Sequence, residues 1–265
     1  MNKIVFITGA SSGFGEACAR KFAAAGGYHI IITGRRKERL EKLKSELEQA
    51  ARPATPPPPG AEPVRVMPLE FDVQDREAVF SAVSNLPEAW KKIELLVNNA
   101  GLALGRDFFQ DAVLDDWETM IDTNVKGLLY VSKAVLPLLI AQKKGHIINI
   151  GSTAGKEVYE KGNVYCATKH AVDAISKAMR IDLLSEGIKV TAIHPGAADT
   201  EFSRVRFKGD EQQAEKVYEG YTPLSAEDVA EVVYYCASLP SHVCINDLTL
   251  TCTAQANSFY LYKKA

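Results

Sequence analysis

The chain has 265 residues, of which 46% are hydrophobic, and its formal net charge is -2 at pH 7. A chain of this length buries a substantial core, and we expect residues 1–265 to form one domain. The nearly balanced charge gives no basic field for a phosphate polymer or an anionic membrane surface, so we expect neither nucleic acid nor a membrane as a partner.

Short apolar runs rich in Val and Ile alternate along the chain with longer segments of helical period. This alternation is typical of β-α-β units, which build a parallel sheet covered by helices on both faces. The predicted strands are 3–8, 29–33, 64–69, 94–97, 146–150, 189–193 and 244–250. Right-handed crossovers then bring several loops to the carboxyl edge of a seven-stranded sheet, where such α/β folds bind ligands.

A glycine-rich turn comes directly after the first predicted strand and opens a helical segment. Its residues, 8–15, read TGASSGFG. Glycine permits positive φ and lets the backbone approach a pyrophosphate, which then lies against the positive end of the helix. A tight turn without a ligand is the alternative, but the position between strand and helix favours a dinucleotide. The candidate contacts are Gly9, Ser11, Ser12, Gly13, Phe14 and Gly15.

Two arginines, Arg35 and Arg36, follow the second predicted strand, where NAD-specific sites commonly place an acidic residue. We expect them to begin the next helix, where the macrodipole opposes a cation by ~0.3–1 kcal/mol. A 2'-phosphate explains this placement because guanidinium groups bind phosphate oxygens in a planar fork. We therefore predict NADP(H) as the cofactor, with two solvated surface arginines as the alternative.

The segment 52–63 contains six prolines, so it neither continues a helix nor joins a central strand. We predict a loop that acts as a solvated spacer between a helix and an edge strand. A polyproline II ligand, and with it a proline-mediated interaction module, is the less common alternative.

Three residues with hydrogen-bonding or acid–base chemistry follow the fifth predicted strand. Ser152 lies at its carboxyl end, whereas Tyr165 and Lys169 are four residues apart in a predicted helix over 164–185, which places phenol and ammonium on one face. The ammonium and an oxidised nicotinamide both favour the phenolate, which makes Tyr165 an acid–base candidate. Ser152 is placed to hydrogen-bond a substrate oxygen. Each residue alone has an ordinary structural explanation, but all three share one sheet edge with the phosphate loop.

These motifs together resemble a known family. The glycine-rich turn, the segment 98–101 (NNAG), Ser152, the pair Tyr165 and Lys169, and the segment 195–196 (PG) have the order and spacing of short-chain dehydrogenases/reductases. The resemblance implies a single Rossmann-like doubly wound α/β domain and an NADP-dependent oxidoreductase that acts on CH-OH groups. It also implies that Tyr165 is the general acid in reduction, that Lys169 lowers the pKa of Tyr165 and holds the nicotinamide ribose, and that Ser152 orients the carbonyl.

The resemblance assigns further residues. Asn124, in a predicted long helix over 115–144, would hold a water that links Lys169 to solvent, and a satisfied polar helix residue is the alternative. Asp72 would meet the adenine amino group, a role compatible with capping a helix. The remaining cofactor contacts that the resemblance implies are Val73, Asn98, Ala100, Gly101, Pro195, Gly196 and Thr200.

One branch of the family, the NADP-dependent 3-hydroxy acid dehydrogenases that act on serine-like acids, is resembled more particularly. The stretches that carry this similarity are 116–124, 146–155 and 200–210. The branch implies reversible oxidation of the 3-hydroxyl of a small acid such as serine, 3-hydroxypropanoate or 3-hydroxybutanoate. A reductase of bulkier carbonyls, such as a 3-oxoacyl thioester or a sugar-like ketone, and a non-catalytic NADPH-binding regulatory protein are the alternatives.

The segment from about residue 197 to 222 is predicted to close over the substrate as a lid. Its cations Arg204, Arg206 and Lys208 either attract a substrate carboxylate or keep the lid soluble.

The sequence also predicts how the protein assembles and where it is located. By resemblance, the predicted helices 115–144 and 164–185 pair across a two-fold axis, so we expect a homodimer or a homotetramer. Five scattered cysteines without a CxxC pair predict reduced thiols in a cytoplasmic protein without a metal site. The first apolar run is too short for a signal peptide or a membrane span.

Overall fold

The computed structural model describes residues 2–50 and 62–264. Its strands are β1 (Lys3–Ile7), β2 (Tyr28–Gly34), β3 (Val66–Glu70), β4 (Ile93–Asn98), β5 (Gly145–Ile150), β6 (Ile188–Pro195) and β7 (Asp247–Leu250). Within the described ranges these strands form one seven-stranded parallel sheet in the order β3-β2-β1-β4-β5-β6-β7. The predicted doubly wound α/β fold is confirmed, and the reversal of strand order between β1 and β4 marks the crevice where such sheets bind ligands.

Helices cover both faces of the sheet. They are α1 (Gly13–Ala25), α2 (Lys37–Ala50), α3 (Arg76–Ser84), α4 (Leu114–Ile121), α5 (Leu128–Ala141), α6 (Asn163–Asp182), α7 (Glu201–Arg206), α8 (Glu211–Lys216) and α9 (Ala226–Ser238). On one face, Phe22 of α1 and Val233 of α9 belong to the same buried cluster as Ile30 of β2. On the other face, Val135 of α5 packs with Phe6 of β1. The inner strands therefore read as continuous apolar runs, because both of their faces are buried.

Several element boundaries differ from the predicted ones. The edge strands β3 and β7 begin two and three residues later than expected, because each has only one neighbouring strand to extend its ladder. Arg35 and Arg36 precede α2 rather than begin it. Apart from residues 62 and 63, the predicted proline-rich loop lies outside the described residues.

The predicted helix 115–144 is interrupted in its middle. A π-helix, Asp122–Gly127, separates α4 from α5, and α5 ends at Ala141. By length and composition alone the stretch Leu114–Ala141 is apolar enough to cross a membrane, with a mean hydropathy of 1.4. In the fold, Val131, Val135 and Leu139 of α5 are buried against the sheet, so this stretch contributes a core helix whose other face remains exposed.

Candidate active site

The three predicted acid–base residues meet beyond the carboxyl end of β5. Ser152 follows this strand, and Tyr165 and Lys169 project from the first turns of α6, where they are only 7% and 6% exposed. The Lys169 Nζ lies 6.0 Å from the centre of the Tyr165 ring and donates to the Ile150 carbonyl oxygen at 3.0 Å. The predicted i, i+4 pairing on one helix face is therefore present.

The environment of Tyr165 favours its neutral form. Burial raises the pKa of the Tyr165 phenol, and neighbouring Tyr159 adds to this effect. A contact with the Ser152 side chain and the charge of Arg206 lower the same pKa but do not offset burial. From the sequence we expect the Lys169 ammonium to favour the phenolate, but in the structure burial dominates, and the protein groups together hold a neutral phenol, the form that donates a proton.

Lys169 is an ammonium group in an apolar setting. Burial lowers the pKa of Lys169 to about 8, so the group stays predominantly charged at neutral pH. Because this value lies below that of the unfolded chain, the unfolded chain binds more protons at this position between about pH 8 and 10. Within that window the contribution of Lys169 to the free energy of unfolding rises with pH.

We expect this linkage to appear in the variant Lys169→Met. The difference in free energy of unfolding between variant and wild type should fall by about 2 kcal/mol from pH 8 to pH 10, because only the wild type regains stability as its buried ammonium deprotonates. Urea unfolding across this range measures it, with Lys133→Met at an exposed position of α5 as the control. A difference that is constant with pH would contradict the assignment.

Asn124 lies within the π-helix and is 2% exposed. Its side chain accepts from the Leu102 amide at 2.8 Å, and donates to the Leu102 carbonyl at 2.8 Å and to the Thr168 hydroxyl at 3.1 Å. A Cβ at Gly101 would lie 3.2 Å from the Asn124 Oδ1 and 3.5 Å from the Lys169 Nζ, so glycine keeps open the space between these two polar groups. Functional sites often contain such π-helical turns, which sequence periodicity does not reveal.

A long cleft runs along the carboxyl edge of the sheet from the glycine-rich turn to Lys169. The predicted cofactor residues that line it are Gly9, Ser11, Ser12, Gly13, Phe14, Arg35, Arg36, Asp72, Val73, Ala100, Gly101, Tyr165, Lys169 and Thr200. Lining residues that the sequence did not single out as cofactor contacts include Asn99, Leu102, Thr123 and Glu201. The structure therefore brings both ends of the predicted cofactor site into one continuous groove.

Four predicted cofactor residues are not among those that line this cleft. A Cβ at Gly15 would lie 2.4 Å from the Gly9 carbonyl oxygen, so Gly15 instead permits α1 to approach the turn closely. Asn98 is buried, and its side-chain amide donates to Ser132 of α5 and to Asn149 of β5, both at 2.9 Å, which ties the central sheet to the helix that covers it. Pro195 and Gly196 line the neighbouring cavity instead.

Arg36 is fixed at the phosphate end of the cleft. Its guanidinium donates to the Ser11 hydroxyl at 3.1 Å and to the Ser12 hydroxyl at 2.8 Å, and it pairs with Glu201 at 3.0 Å. Arg39, which the sequence analysis missed, binds the same carboxylate at 2.6 Å. These contacts argue against a freely solvated Arg36.

Arg35 and Asp72 lie side by side in the cleft, with their side chains 3.5 Å apart. The Asp72 carboxylate accepts a hydrogen bond from the backbone amide of Gln74 at 3.0 Å. Asp72 does not cap α3, because Asp75 is the N-cap residue and accepts from the Ala78 amide at 2.9 Å.

A second cavity adjoins the cleft at Tyr165 and opens beneath α7. Ser152, Tyr165 and Arg206 line it, together with Phe202 and Tyr218 of the predicted lid segment. Lining residues that were not predicted from the sequence include Arg106, Tyr159, Gln255 and Ser258. Since acid–base groups stand at its junction with the cofactor cleft, this cavity is the candidate substrate pocket.

Only one of the three predicted lid cations lines this cavity. The guanidinium of Arg206 lies 5.5 Å from the centre of the Tyr165 ring, and donates to the Tyr159 hydroxyl at 3.2 Å and the Gly105 carbonyl at 3.3 Å. Arg204 is exposed on α7, and Lys208 pairs with Asp116 at 2.8 Å. Arg206 is therefore the lid cation placed to attract an anionic substrate group.

The charged segment 156–161 does not fill the pocket with charge. The ammonium of Lys156 binds Asp173 at 2.8 Å and Asp247 at 2.6 Å, and the Glu157 carboxylate accepts from the Ser258 amide at 2.8 Å. Tyr159 of the same segment lines the pocket, whereas the charges of Lys156 and Glu157 stabilise the framework around it.

Comparison with known proteins assigns the chain to a family. The sequence profile of the family described as short chain dehydrogenase matches residues 3–211. The chain belongs to the short-chain dehydrogenase family. The NADP-dependent 3-hydroxy acid dehydrogenase YdfG of Salmonella typhi is 47% identical to it over 254 residues, 96% of each protein. Sulfoacetaldehyde reductase 2 of Chromohalobacter salexigens is 48% identical over 261 residues, 98% of each protein.

Solved structures agree with this assignment. The closed form of serine dehydrogenase complexed with NADP+ has a TM-score of 0.87 and 45% identity, and the match covers 99% of this chain and 100% of that one. Serine dehydrogenase from Escherichia coli has a TM-score of 0.77 and 41% identity, with 96% and 99% covered. This short-chain dehydrogenase is therefore an NADP-dependent oxidoreductase that acts on CH-OH groups.

The cleft fits this dinucleotide. Gly9 has a φ of +65° and a Cβ there would lie 2.9 Å from the Ala100 Cα, so only glycine leaves the turn free of strain. The Ser12 hydroxyl accepts from Arg36 and makes no capping bond to the first turn of α1. The N–H groups of that turn are thus available to a phosphate. NADP supplies the hydride chemistry when bound; Tyr165 and Lys169 line this cleft, and Ser152 lines the adjoining cavity.

The contacts of Arg36 predict the basis of cofactor choice in this short-chain dehydrogenase. Arg36→Met should raise the KM for NADP(H) by at least about tenfold, because it removes a charge-assisted donor from the cleft. The KM for NAD(H) should change far less. Arg39→Met, which removes an arginine outside the cleft lining, is the matched control. Equal losses with both cofactors would contradict a role in 2'-phosphate binding.

Proposed function

We propose that this enzyme oxidises the 3-hydroxyl of a small 3-hydroxy acid, such as serine, 3-hydroxypropanoate or 3-hydroxybutanoate, and reduces the corresponding 3-oxo acid or semialdehyde. One observation carries the proposal: the guanidinium of Arg206 lies 5.5 Å from the centre of the Tyr165 ring within the substrate pocket. Within the described ranges this guanidinium donates to neutral oxygens rather than to a carboxylate. It is thus available to bind a substrate carboxylate close to the acid–base group.

The other site residues have complementary roles in this proposal. In reduction, the neutral phenol of Tyr165 donates its proton to the substrate oxygen, and the Ser152 hydroxyl donates a hydrogen bond to the same oxygen. Lys169 keeps a positive charge near Tyr165 and binds the ribose of the nicotinamide. Asn124, which lies near Lys169 across Gly101, holds the water through which Lys169 exchanges protons with solvent. The segment 197–222, which contains α7 and α8, closes over the substrate.

Two kinds of observation support a small acidic substrate. The pocket combines a cation with aromatic walls from Tyr159 and Phe202, so it suits a short anionic molecule. The relative from Salmonella typhi is named a 3-hydroxy acid dehydrogenase, and a structural neighbour is named a serine dehydrogenase.

Reduction of sulfoacetaldehyde is a second candidate. The relative from Chromohalobacter salexigens at 48% identity bears that activity in its name. A sulfonate is also an anion, and in sulfoacetaldehyde it is separated from the carbonyl by one carbon, as in a 3-oxo acid. The same Arg206 therefore suits both compounds.

Initial rates distinguish these candidates from each other and from the remaining alternatives. We would measure NADP reduction with the three hydroxy acids beside NAD, and NADPH oxidation with sulfoacetaldehyde and a 3-oxoacyl thioester. Turnover of a hydroxy acid at or below millimolar concentration, preferentially with NADP, supports the proposal. Faster turnover of sulfoacetaldehyde favours the second candidate, and faster turnover of the thioester favours a reductase of bulkier carbonyls. Binding of NADPH without any turnover favours a regulatory protein.

We also propose that two copies associate through α5 and α6 to form a dimer or a tetramer. Only 39% of the apolar window in Leu114–Ala141 is buried, and Leu129 on α5 and Ile181 on α6 are 41% and 76% exposed. Such exposed apolar surface is typical of an interface. The five cysteines, all within the described ranges, are unpaired, which supports our proposal of a cytoplasmic location.

Leu129→Glu tests the interface. A carboxylate at this exposed apolar position is expected to lower the mass in solution to that of one chain, because it would be buried without a partner at the interface. Analytical ultracentrifugation measures the mass, and Lys42→Glu at an exposed position of α2, outside the proposed interface, shows whether an added carboxylate alone has this effect. An unchanged mass for Leu129→Glu would contradict the proposed interface.

A further inference from the structure

A cluster of polar side chains adjoins the main chain of Ser152, with one fully buried member, His194, and partly exposed charged members around it. Its members are His194 of β6, Lys156 of the loop after β5, Asp173 of α6 and Asp247 of β7. His194 is completely buried, which is unusual for a histidine near the end of a strand. The cluster belongs to neither the cofactor cleft nor the substrate pocket.

The imidazole ring of His194 contacts the main chain of Ser152. Its Nδ1 lies 3.2 Å from the Ser152 carbonyl oxygen. A carbonyl oxygen only accepts hydrogen bonds, so this contact is a hydrogen bond when Nδ1 carries a proton, either in the Nδ1–H tautomer or in the imidazolium, which also donates from Nε2 to the carboxylates. A Cβ at Gly151 would lie 2.4 Å from the same Nδ1, and glycine at this position therefore lets the ring pack directly against the peptide before Ser152.

The opposite edge of the ring is held by the charged members of the cluster. The His194 Nε2 lies 3.2 Å from an Asp247 oxygen and 3.7 Å from an Asp173 oxygen. The ammonium of Lys156 bridges both carboxylates at 2.8 and 2.6 Å, and Lys177 pairs with Asp173 at 2.6 Å. Burial and the Lys156 charge lower the pKa of His194, whereas Asp247 and Asp173 act in the opposite direction.

The salt bridges in this cluster hold the His194 ring in place, and the cluster does not serve as a metal site. The ligand atoms of Asp173, His194 and Asp247 lie within 4.8 Å of one another, a spacing that suits a cation. The Lys156 ammonium, however, already supplies the positive charge between the two carboxylates. The bridge ties the ring to β7 and α6, and α6 also carries Tyr165.

We propose that His194 is a positioning residue of the reaction: by donating from Nδ1 to the Ser152 carbonyl, it fixes the backbone that aims the Ser152 hydroxyl at the substrate oxygen. The Ser152 hydroxyl also accepts from the Ala154 amide at 3.1 Å, so its direction depends on the local course of the main chain. A displacement of this backbone would move the hydroxyl relative to Tyr165, and small displacements of catalytic groups are costly.

Two near-isosteric variants test the donor atom. In His194→Asn the amide nitrogen occupies the position of Nδ1, whereas in His194→Gln it reaches the position of Nε2. We expect kcat to fall by at least about tenfold in His194→Gln and to remain within about threefold of wild type in His194→Asn. The KM for NADPH should stay unchanged in both, and unfolding midpoints show whether the two variants are equally folded.

Other outcomes overturn the inference. Equal losses of kcat in both variants would show that the ring acts only through packing, and full activity of His194→Gln would show that the bond to Ser152 is dispensable. The inference rests on the proposed role of Ser152, which Ser152→Ala tests separately. If Ser152→Ala retains wild-type kcat, the role of Ser152 fails; if it loses turnover while His194→Gln does not, only the inference about His194 fails.

Discussion

Tyr165→Phe is expected to lower kcat for the preferred substrate by about 10²- to 10⁴-fold, the range that general acid–base catalysis contributes. The substitution removes the phenolic hydroxyl, whose pKa is raised by burial. Phenylalanine then has no group at this position that can donate a proton to the substrate oxygen. The ring itself is 7% exposed and packs beside Phe202, so phenylalanine preserves the shape of the site.

Measuring cofactor binding distinguishes a loss of catalysis from a loss of the cofactor-binding site. We expect Tyr165→Phe to bind NADPH with an affinity close to that of the wild type, as measured by the change in NADPH fluorescence. Tyr159→Phe is the matched control, because Tyr159 lines the same pocket but does not stand at the junction with the cofactor cleft. A Tyr165→Phe enzyme with more than about a tenth of the wild-type kcat would be incompatible with Tyr165 as the general acid.

Arg206→Gln has the second large expected effect. A hydrogen bond to a charged group contributes about 1.5–3 kcal/mol, so we expect the KM for the acidic substrate to rise roughly 10- to 100-fold. Glutamine retains a donor for the Gly105 carbonyl and keeps much of the packing, but it carries no charge. Steady-state rates over a range of substrate concentrations give the change in KM and kcat separately.

Arg204→Gln provides the matched control for this substitution. Arg204 lies two residues away on α7 but is exposed and does not line the substrate pocket. We expect this variant to keep the wild-type KM, because screening by solvent weakens its attraction for the substrate. If both variants raise KM equally, the segment that contains α7 attracts the substrate through its net charge, and Arg206 does not bind the substrate specifically.

The parts of the site that the sequence predicted are those fixed by strand and helix geometry. A strand followed by glycines places Gly9 and Gly13 at the carboxyl edge, and an i, i+4 offset places Tyr165 and Lys169 on one helix face. These relations are local, so they follow from the chain alone. The absence of a carboxylate after β2 also pointed correctly to NADP.

The parts that the sequence did not predict depend on contacts between distant segments. The π-helix around Asn124 changes the helical pattern by a single residue, too little for hydrophobic periodicity to register. Gln255 and Ser258 line the candidate substrate pocket from a segment without a motif, and Glu201 meets Arg36 across 165 residues of chain. Asn98 stays a predicted cofactor contact; its side-chain amide donates to Ser132 of α5 and Asn149 of β5, contacts that a motif alone does not reveal.

The most direct test of a small acidic substrate compares 3-hydroxybutanoate with its methyl ester as substrates for NADP reduction. The two compounds present the same hydroxyl, but only the acid offers an anion to Arg206. We predict that kcat/KM for the acid exceeds that for the ester by at least about tenfold, the equivalent of one charge-assisted hydrogen bond. An ester that is turned over as well as the acid would contradict the account, because the cation beside Tyr165 would then play no part in selecting the substrate.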